Sequence, residues 1–272
     1  MLMTLSTRIF RRKCKVLLRR ITSHVNEQNW FAVVVDVIIV IVGVFIGIQV
    51  ANWNDALGDQ RLGHFYTVRL ITDLENDLAV GTALFEYYDQ VLKSVEEADR
   101  LLSAASPDAQ AVVVATYRAS EFNNNPINSA TWDQIVSSGH IGLLQSPAIE
   151  RGLSEYYKFQ GPLNAGNFRV LDSPYRLAVR SLIPLPIQLA IRESCSDIWD
   201  ELKNSTGLVS GCVLEIDDSE LRKTADVLLS SNAVRETLRH QYSRIFFVTI
   251  NLESNIIQIE ALLDALRSKQ VE

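Results

Sequence analysis

The sequence predicts an all-α protein: an N-terminal transmembrane helix that continues into an exported helical bundle built on two long helices. Three observations carry this prediction. Residues 31–51 form an almost unbroken apolar run in which 17 of 21 residues are Phe, Ala, Val or Ile. Apolar residues then recur at alternating steps of three and four over residues 57–104 and again near the C-terminus, the period of helices packed along a seam. Strand-like alternation is scarce. The composition agrees: 272 residues, 47% hydrophobic and 21% charged, supply ample core, and 3 Cys and 12 Gly exclude a disulfide-dense or collagen-like chain.

Residues 1–30 hold seven basic side chains (Arg8, Arg11, Arg12, Lys13, Lys15, Arg19 and Arg20) against Glu27, a net +6, whereas residues 52–272 carry a net −11. The formal charge of −6 is thus an average over three compartments. Leu5, Ile9, Phe10, Leu17, Ile21 and Val25 interleave with the basic residues at roughly helical spacing. The segment reads as a cytoplasmic amphipathic helix on anionic lipid; nucleic-acid binding by the arm is the weaker reading, because the adjoining span already holds it at a membrane. It is too short for a kinase, cyclase or DNA-binding output domain.

The run 31–51 is the transmembrane helix. At about 1.5 Å per residue it is roughly 31 Å long, the thickness of a hydrocarbon core. A buried helix of a soluble protein would not need so uniform a β-branched run. A cleaved signal peptide fits poorly, since the polar stretch before it is long and no A-x-A site follows. The basic flank stays in the cytoplasm, which places residues 52–272 outside it, in a bacterial periplasm beyond the inner membrane. Trp30 and Trp53 bracket the run at the two interfaces. Gly43 and Gly47 form a small-x-x-x-small face suited to a partner helix. Asp36 is a carboxylate within the run, explained either by pairing or by reach to the cytoplasmic interface.

In the exported part, Ile71, Leu74, Leu78, Gly81, Phe85, Tyr88, Leu92 and Val95 make one seam, and Ile245, Val248, Leu252, Asn255, Ile259, Leu262 and Leu266 make the other. The two pack against one another or against a second copy of the chain, the first being favoured because few other long helices are present to cover them. Between them, Ser106-Pro107-Asp108 opens a helix with Ser106 as N-cap. Thr131 with Gln134 has capping-box spacing, which predicts a helix over 132–138 that stops at Gly139. Ser146-Pro147 starts another that reaches Phe159, Pro184 and Pro186 interrupt the next region, and Asp218 or Ser219 caps the helix containing Leu221 and Leu228. Cys195 and Cys212 share the exported side and either close a disulfide loop or stand as two buried thiols. The intervening segment, with Trp199 and residues 204–207, reads as a surface excursion.

Two stretches carry a resemblance. Ile46-Gly47-Ile48-Gln49-Val50-Ala51-Asn52-Trp53-Asn54-Asp55 and the run Thr131-Trp132-Asp133-Gln134-Ile135-Val136-Ser137-Ser138-Gly139-His140-Ile141-Gly142-Leu143-Leu144, followed by Leu153 and Tyr156-Tyr157, resemble a family of uncharacterised bacterial single-pass membrane proteins. In that family the span ends in Gln-x-Asn-Asn-Trp-Asn and an acid; here Ala51 replaces the first Asn. The resemblance implies the architecture and no activity. Thr131, Trp132, Gly139, Tyr156 and Tyr157 then mark a helical corner, with Ser137, Ser138 and His140 beside a surface notch. A structural corner is the favoured reading of that segment over a binding site.

No motif for catalysis is present. The histidines show no metal-ligand spacing, Glu236 with His240 is a one-turn helix pair, and G-x-S-x-G, Walker and G-x-G-x-x-G patterns are missing. Asp73, Glu75 and Asp77 read as a solvated helix face. No cofactor, metal or nucleic acid is expected. The expected partners are the lipid bilayer and either a homo-oligomer or a membrane partner helix, and the function is that of a membrane-anchored periplasmic interaction or adaptor protein. The alternative is an exported enzyme whose site is assembled around His140 or His240.

Overall fold

The computed structural model describes residues 30–125, 127–144, 146–201 and 204–268. The basic segment 1–30 lies outside the described residues apart from Trp30. The fold is all-α with one small β-hairpin among the described residues. Helix α1 is Trp30–Leu102, α2 Ala109–Arg118, α3 Ala130–Ser137, α4 Pro147–Leu171, α5 Pro174–Leu182, α6 Leu185–Ser194, α7 Asp218–Ser230 and α8 Asn232–Ser268. A 3-10 turn, His140–Leu143, joins α3 to α4. Strands β1 (Asp197–Trp199) and β2 (Ser205–Leu208) pair antiparallel, Ile198 opposite Gly207, and lie between α6 and α7.

Two compact units divide at Gln60/Arg61, and α1 runs through both. No proline occurs before Pro107, so nothing removes a backbone donor anywhere along α1. In the first unit the helix is apolar and long enough to cross a membrane, and the described side chains over 33–50 are exposed or half-exposed.

The second unit has two apolar clusters. One gathers Tyr66, Leu70 and Leu74 of α1 with Trp132, Ile135, Leu153, Tyr156 and Tyr157, and with Ile259, Leu262 and Leu266 of α8. The other gathers Leu84 to Leu102 of α1 with Val112 and Val113 of α2, Val179, Ile187, Ile191, Leu228, and Val234 to Leu252 of α8. Between them α1 places Asp77 and Gly81, and α8 places Asn255, all buried. Every residue of the expected α8 seam is buried. By length and composition α8 could also cross a membrane, but its seam is filled by protein, as in a core helix.

The α1 seam differs from the sequence reading on one of its two lines. Leu74, Gly81, Tyr88 and Val95 are buried as read, but their companions are Leu70, Asp77, Leu84 and Val91, while Ile71, Leu78, Phe85 and Leu92 are half-buried flanks. The apolar stripe is wider than a single seam, and a carboxylate on the buried line disguises its position.

The helix starts also shift. The cap of α2 is Asp108, whose Oδ1 accepts from the Ala111 N–H at 2.8 Å, in place of Ser106. Asp108 meets the exposed donors and the positive end of the dipole together. Helix α3 begins at Ala130, two residues earlier than read: Thr131 lies inside it and is buried, so the Thr131–Gln134 capping box does not form. Asn128 Oδ1 accepts from the Ala130 N–H instead, at 3.1 Å. Gly139 ends the helix at φ 73°, a conformation that suits glycine. Helix α4 continues beyond Phe159 to Leu171, and α7 is capped by Asp217 instead of Asp218 or Ser219. Pro184 and Pro186 separate α5 from α6 without abolishing either, because proline is accommodated in a first helical turn.

Candidate functional site

The corner that joins α1, α3 and α4 brings stacked aromatic rings together with a buried carboxylate of α1. Trp132 of α3 stacks on Tyr157 of α4 with ring centroids 5.3 Å apart and planes at 11°, and Tyr157 meets Tyr156 edge-on at 4.9 Å. Gly63 lets α1 approach the 3-10 turn: a Cβ there would stand 2.5 Å from the Leu143 carbonyl oxygen. Beside it, the Tyr66 hydroxyl and His140 Nδ1 are 3.0 Å apart, and Arg69 donates to Gln134 Oε1 at 2.9 Å. These contacts fix α3 against α1.

Asp77 lies at the centre. It is 1% exposed, which overturns its assignment to a solvated face. The Tyr156 hydroxyl donates to its Oδ2 at 3.2 Å and the Asn128 N–H to its Oδ1 at 3.1 Å. Asn128 Nδ2 also donates to Asp73 Oδ1 at 3.3 Å, so one loop residue clasps two carboxylates one turn apart on α1. Burial pushes the Asp77 carboxyl up to about 6; the Asn128 and Tyr156 hydrogen bonds oppose that rise and the Asp73 charge adds to it. Gln160 of α4 donates to Asn255 Oδ1 of α8 at 2.9 Å and completes a buried polar layer across three helices. The layer coincides with the gap between the two apolar clusters.

Residues 36–161 match a family of unknown function, DUF6090. No curated protein and no solved structure matches the chain. The matched segment covers a little under half of the chain and contains the whole of α3, Asp73, Asp77, Asn128 and the Tyr156-Tyr157 pair. The corner therefore belongs to the part of the chain that is similar to the family, apart from Asn255.

A second cluster straddles the end of that segment. Glu121, 4% exposed, follows α2, and its Oε2 is 3.2 Å from Arg180, 3.2 Å from Arg192 and 4.0 Å from Arg176. Arg180 also lies over the Tyr117 ring at 3.3 Å and donates to Ser120 Oγ at 2.8 Å, while Arg176 donates to the Ser120 carbonyl. Three cations at the C-terminal end of α2 answer both the carboxylate and the negative end of its dipole. This cluster is not legible in the sequence. Arg176 and Arg180 are spaced to share a helix face, but nothing near Glu121 marks it as their partner 55 to 71 positions away.

The remaining expected residues are placed as follows. Cys195 and Cys212 form a disulfide, S–S 2.11 Å. The hairpin inside it is less of an excursion than read: Trp199 is exposed, but Ser205, Gly207 and Leu208 are buried, and Gln90 of α1 accepts from the Leu208 N–H at 2.7 Å. Gly43 and Gly47 have open space where a Cβ would stand, and Asp36, Trp30 and Trp53 are exposed. His140 bonds Tyr66, and His240 is exposed; neither imidazole meets a carboxylate or serine among the described residues.

Proposed function

We propose that the chain is a membrane-anchored interaction or adaptor protein, with residues 1–30 in the cytoplasm, 31–51 spanning a bacterial inner membrane, and 52–272 exported to the periplasm. The observation that carries this reading is the first part of α1, where large apolar side chains such as Ile38, Ile41 and Phe45 are exposed, each more than half. Such a surface needs a lipid or protein solvent. The basic flank gives the orientation. The Cys195–Cys212 bridge supports an oxidising compartment for the domain.

The open faces at Gly43 and Gly47 suit a second helix in the bilayer, either another copy of the chain or a different membrane protein. Reporter fusions after Arg20 and after Lys269 test the topology; the proposal expects signals from opposite sides, and matching signals end it. Affinity capture from gently solubilised membranes is expected to recover one reproducible partner, and its recovery should fall when Gly43 and Gly47 are replaced by Leu. Recovery of abundant membrane proteins alone counts against the adaptor role.

A further inference from the structure

The Cys195–Cys212 bridge is unequal at its two ends. Cys195 caps the end of α6 and is 3% exposed, whereas Cys212 is half-buried and lines a cavity of about 360 Å³ walled by residues of α1 and α2. Gly211 has φ 63° and open space where a Cβ would stand, so the residue before Cys212 puts no side chain in the approach. Arg118 lines the same cavity; its Nη2 donates to Cys212 Sγ at 3.5 Å and also meets the Cys195 and Val209 carbonyls. The other charges on the wall are matched elsewhere: Lys93 with Asp89, Glu97 with Arg100, and Asp108 with the Ala111 N–H. A guanidinium on sulfur adds little to an intact disulfide, because neutral sulfur is a weak acceptor. It adds much to the thiolate formed when that bond is cut.

We propose that Cys195–Cys212 is a thiol–disulfide exchange site, attacked at Cys212 by a small dithiol that enters this cavity, with Arg118 holding the Cys212 thiolate of the reduced form. The entering thiolate forms a bond to Cys212 Sγ; the S–S bond breaks, and Cys195 leaves with its electron pair and takes a proton from solvent. The reagent's second thiol, deprotonated, then attacks the reagent's own sulfur in the mixed disulfide. This closes a cyclic disulfide and releases Cys212 as a thiolate beside Arg118. The dithiol is oxidised by two electrons and the bridge is reduced by two. Of the two protons the dithiol loses, the equivalent of one ends on Cys195 and the other stays in solvent. The bridge ties together the ends of the segment that carries the β1–β2 hairpin and its exposed Trp199. Exchange at Cys212 removes that tie and leaves the hairpin held by its packing and by the Gln90–Leu208 hydrogen bond.

The test uses the full chain in lipid nanodiscs carrying Cys14→Ser, so that only the two bridge cysteines report. Dithiothreitol should reduce the native chain at a rate proportional to its concentration and unchanged by urea below the unfolding transition, as attack on the folded state requires. Glutathione, a monothiol, should be trapped on Cys212 and not on Cys195, as read by peptide mass. In the reduced chain, alkylation of Cys212 by iodoacetamide should have its pH midpoint about one unit or more below the free-cysteine value of about 8.5. Arg118→Gln should return that midpoint toward the free value and slow alkylation at neutral pH by about tenfold, while Arg118→Lys, which keeps the charge, should retain most of the shift. Reduction that accelerates in sub-denaturing urea, glutathione on Cys195, or an Arg118→Gln profile equal to that of the parent overturns the proposal.

Discussion

Asp77 occupies a seam position that an aliphatic side chain would fill without electrostatic cost. Its carboxyl is raised from 3.8 to about 6, so the folded state holds the proton more tightly than the unfolded chain does. The stabilising contribution is fully present below pH 3.8 and is lost as pH rises through about 6. Asp77→Asn keeps an acceptor for the Asn128 N–H and removes the charge. It should raise stability at pH 7 by about 2 kcal/mol and flatten the stability profile between the unfolded and folded values, as read by urea denaturation over a pH series. Glu121 is the opposite case. Glu121→Gln leaves three guanidinium groups without their shared counter-charge and should cost about 3 kcal/mol at neutral pH by the same measurement.

At the scale of elements, two constraints can be tested by single substitutions. Gly63→Ala drives a Cβ toward a backbone oxygen of the 3-10 turn, which has no flexible end to yield; destabilisation of about 2 kcal/mol by thermal or chemical denaturation is expected. The disulfide closes a loop whose ends are 17 positions apart, and Arg118 braces it by donating to the carbonyls of Val209 and Cys195. Cys195→Ser should change mobility on non-reducing gels and cost about 3 kcal/mol. The elements show what could be read in advance and what could not. The α8 seam was legible because its lines are almost wholly apolar, and Gly139 was legible because a left-handed helix end favours glycine. The buried line of α1 was half hidden, since Asp77 looks like a surface residue until Tyr156 and Asn128 are brought to it from 79 and 51 positions away. The start of α2 was misread because Ser106 and Asp108 are both good caps, and local sequence does not choose between them.

For the molecule as a whole, the charge of −6 now has a spatial reading. The basic flank precedes an apolar helix in the sequence, and part of the acidic excess is internal, at Asp77 and Glu121. Only side-chain burial separates these carboxylates from the solvated ones, which is why composition could not. The polar layer at Asp77, Gln160 and Asn255 divides the second unit into two apolar clusters, and α1 and α8 each thread both of them. Cooperativity between the clusters then rests on helix continuity and a few hydrogen bonds, where a continuous hydrophobic core would couple them more tightly. Native-state amide exchange should resolve two subglobal openings, with the amides of residues 66–74 and those of residues 84–98 in different protection classes. Asp77→Asn should draw those classes together. A single carboxylate set one turn from a glycine thus acts as a cooperativity break, letting one end of a long helix loosen while the other stays closed.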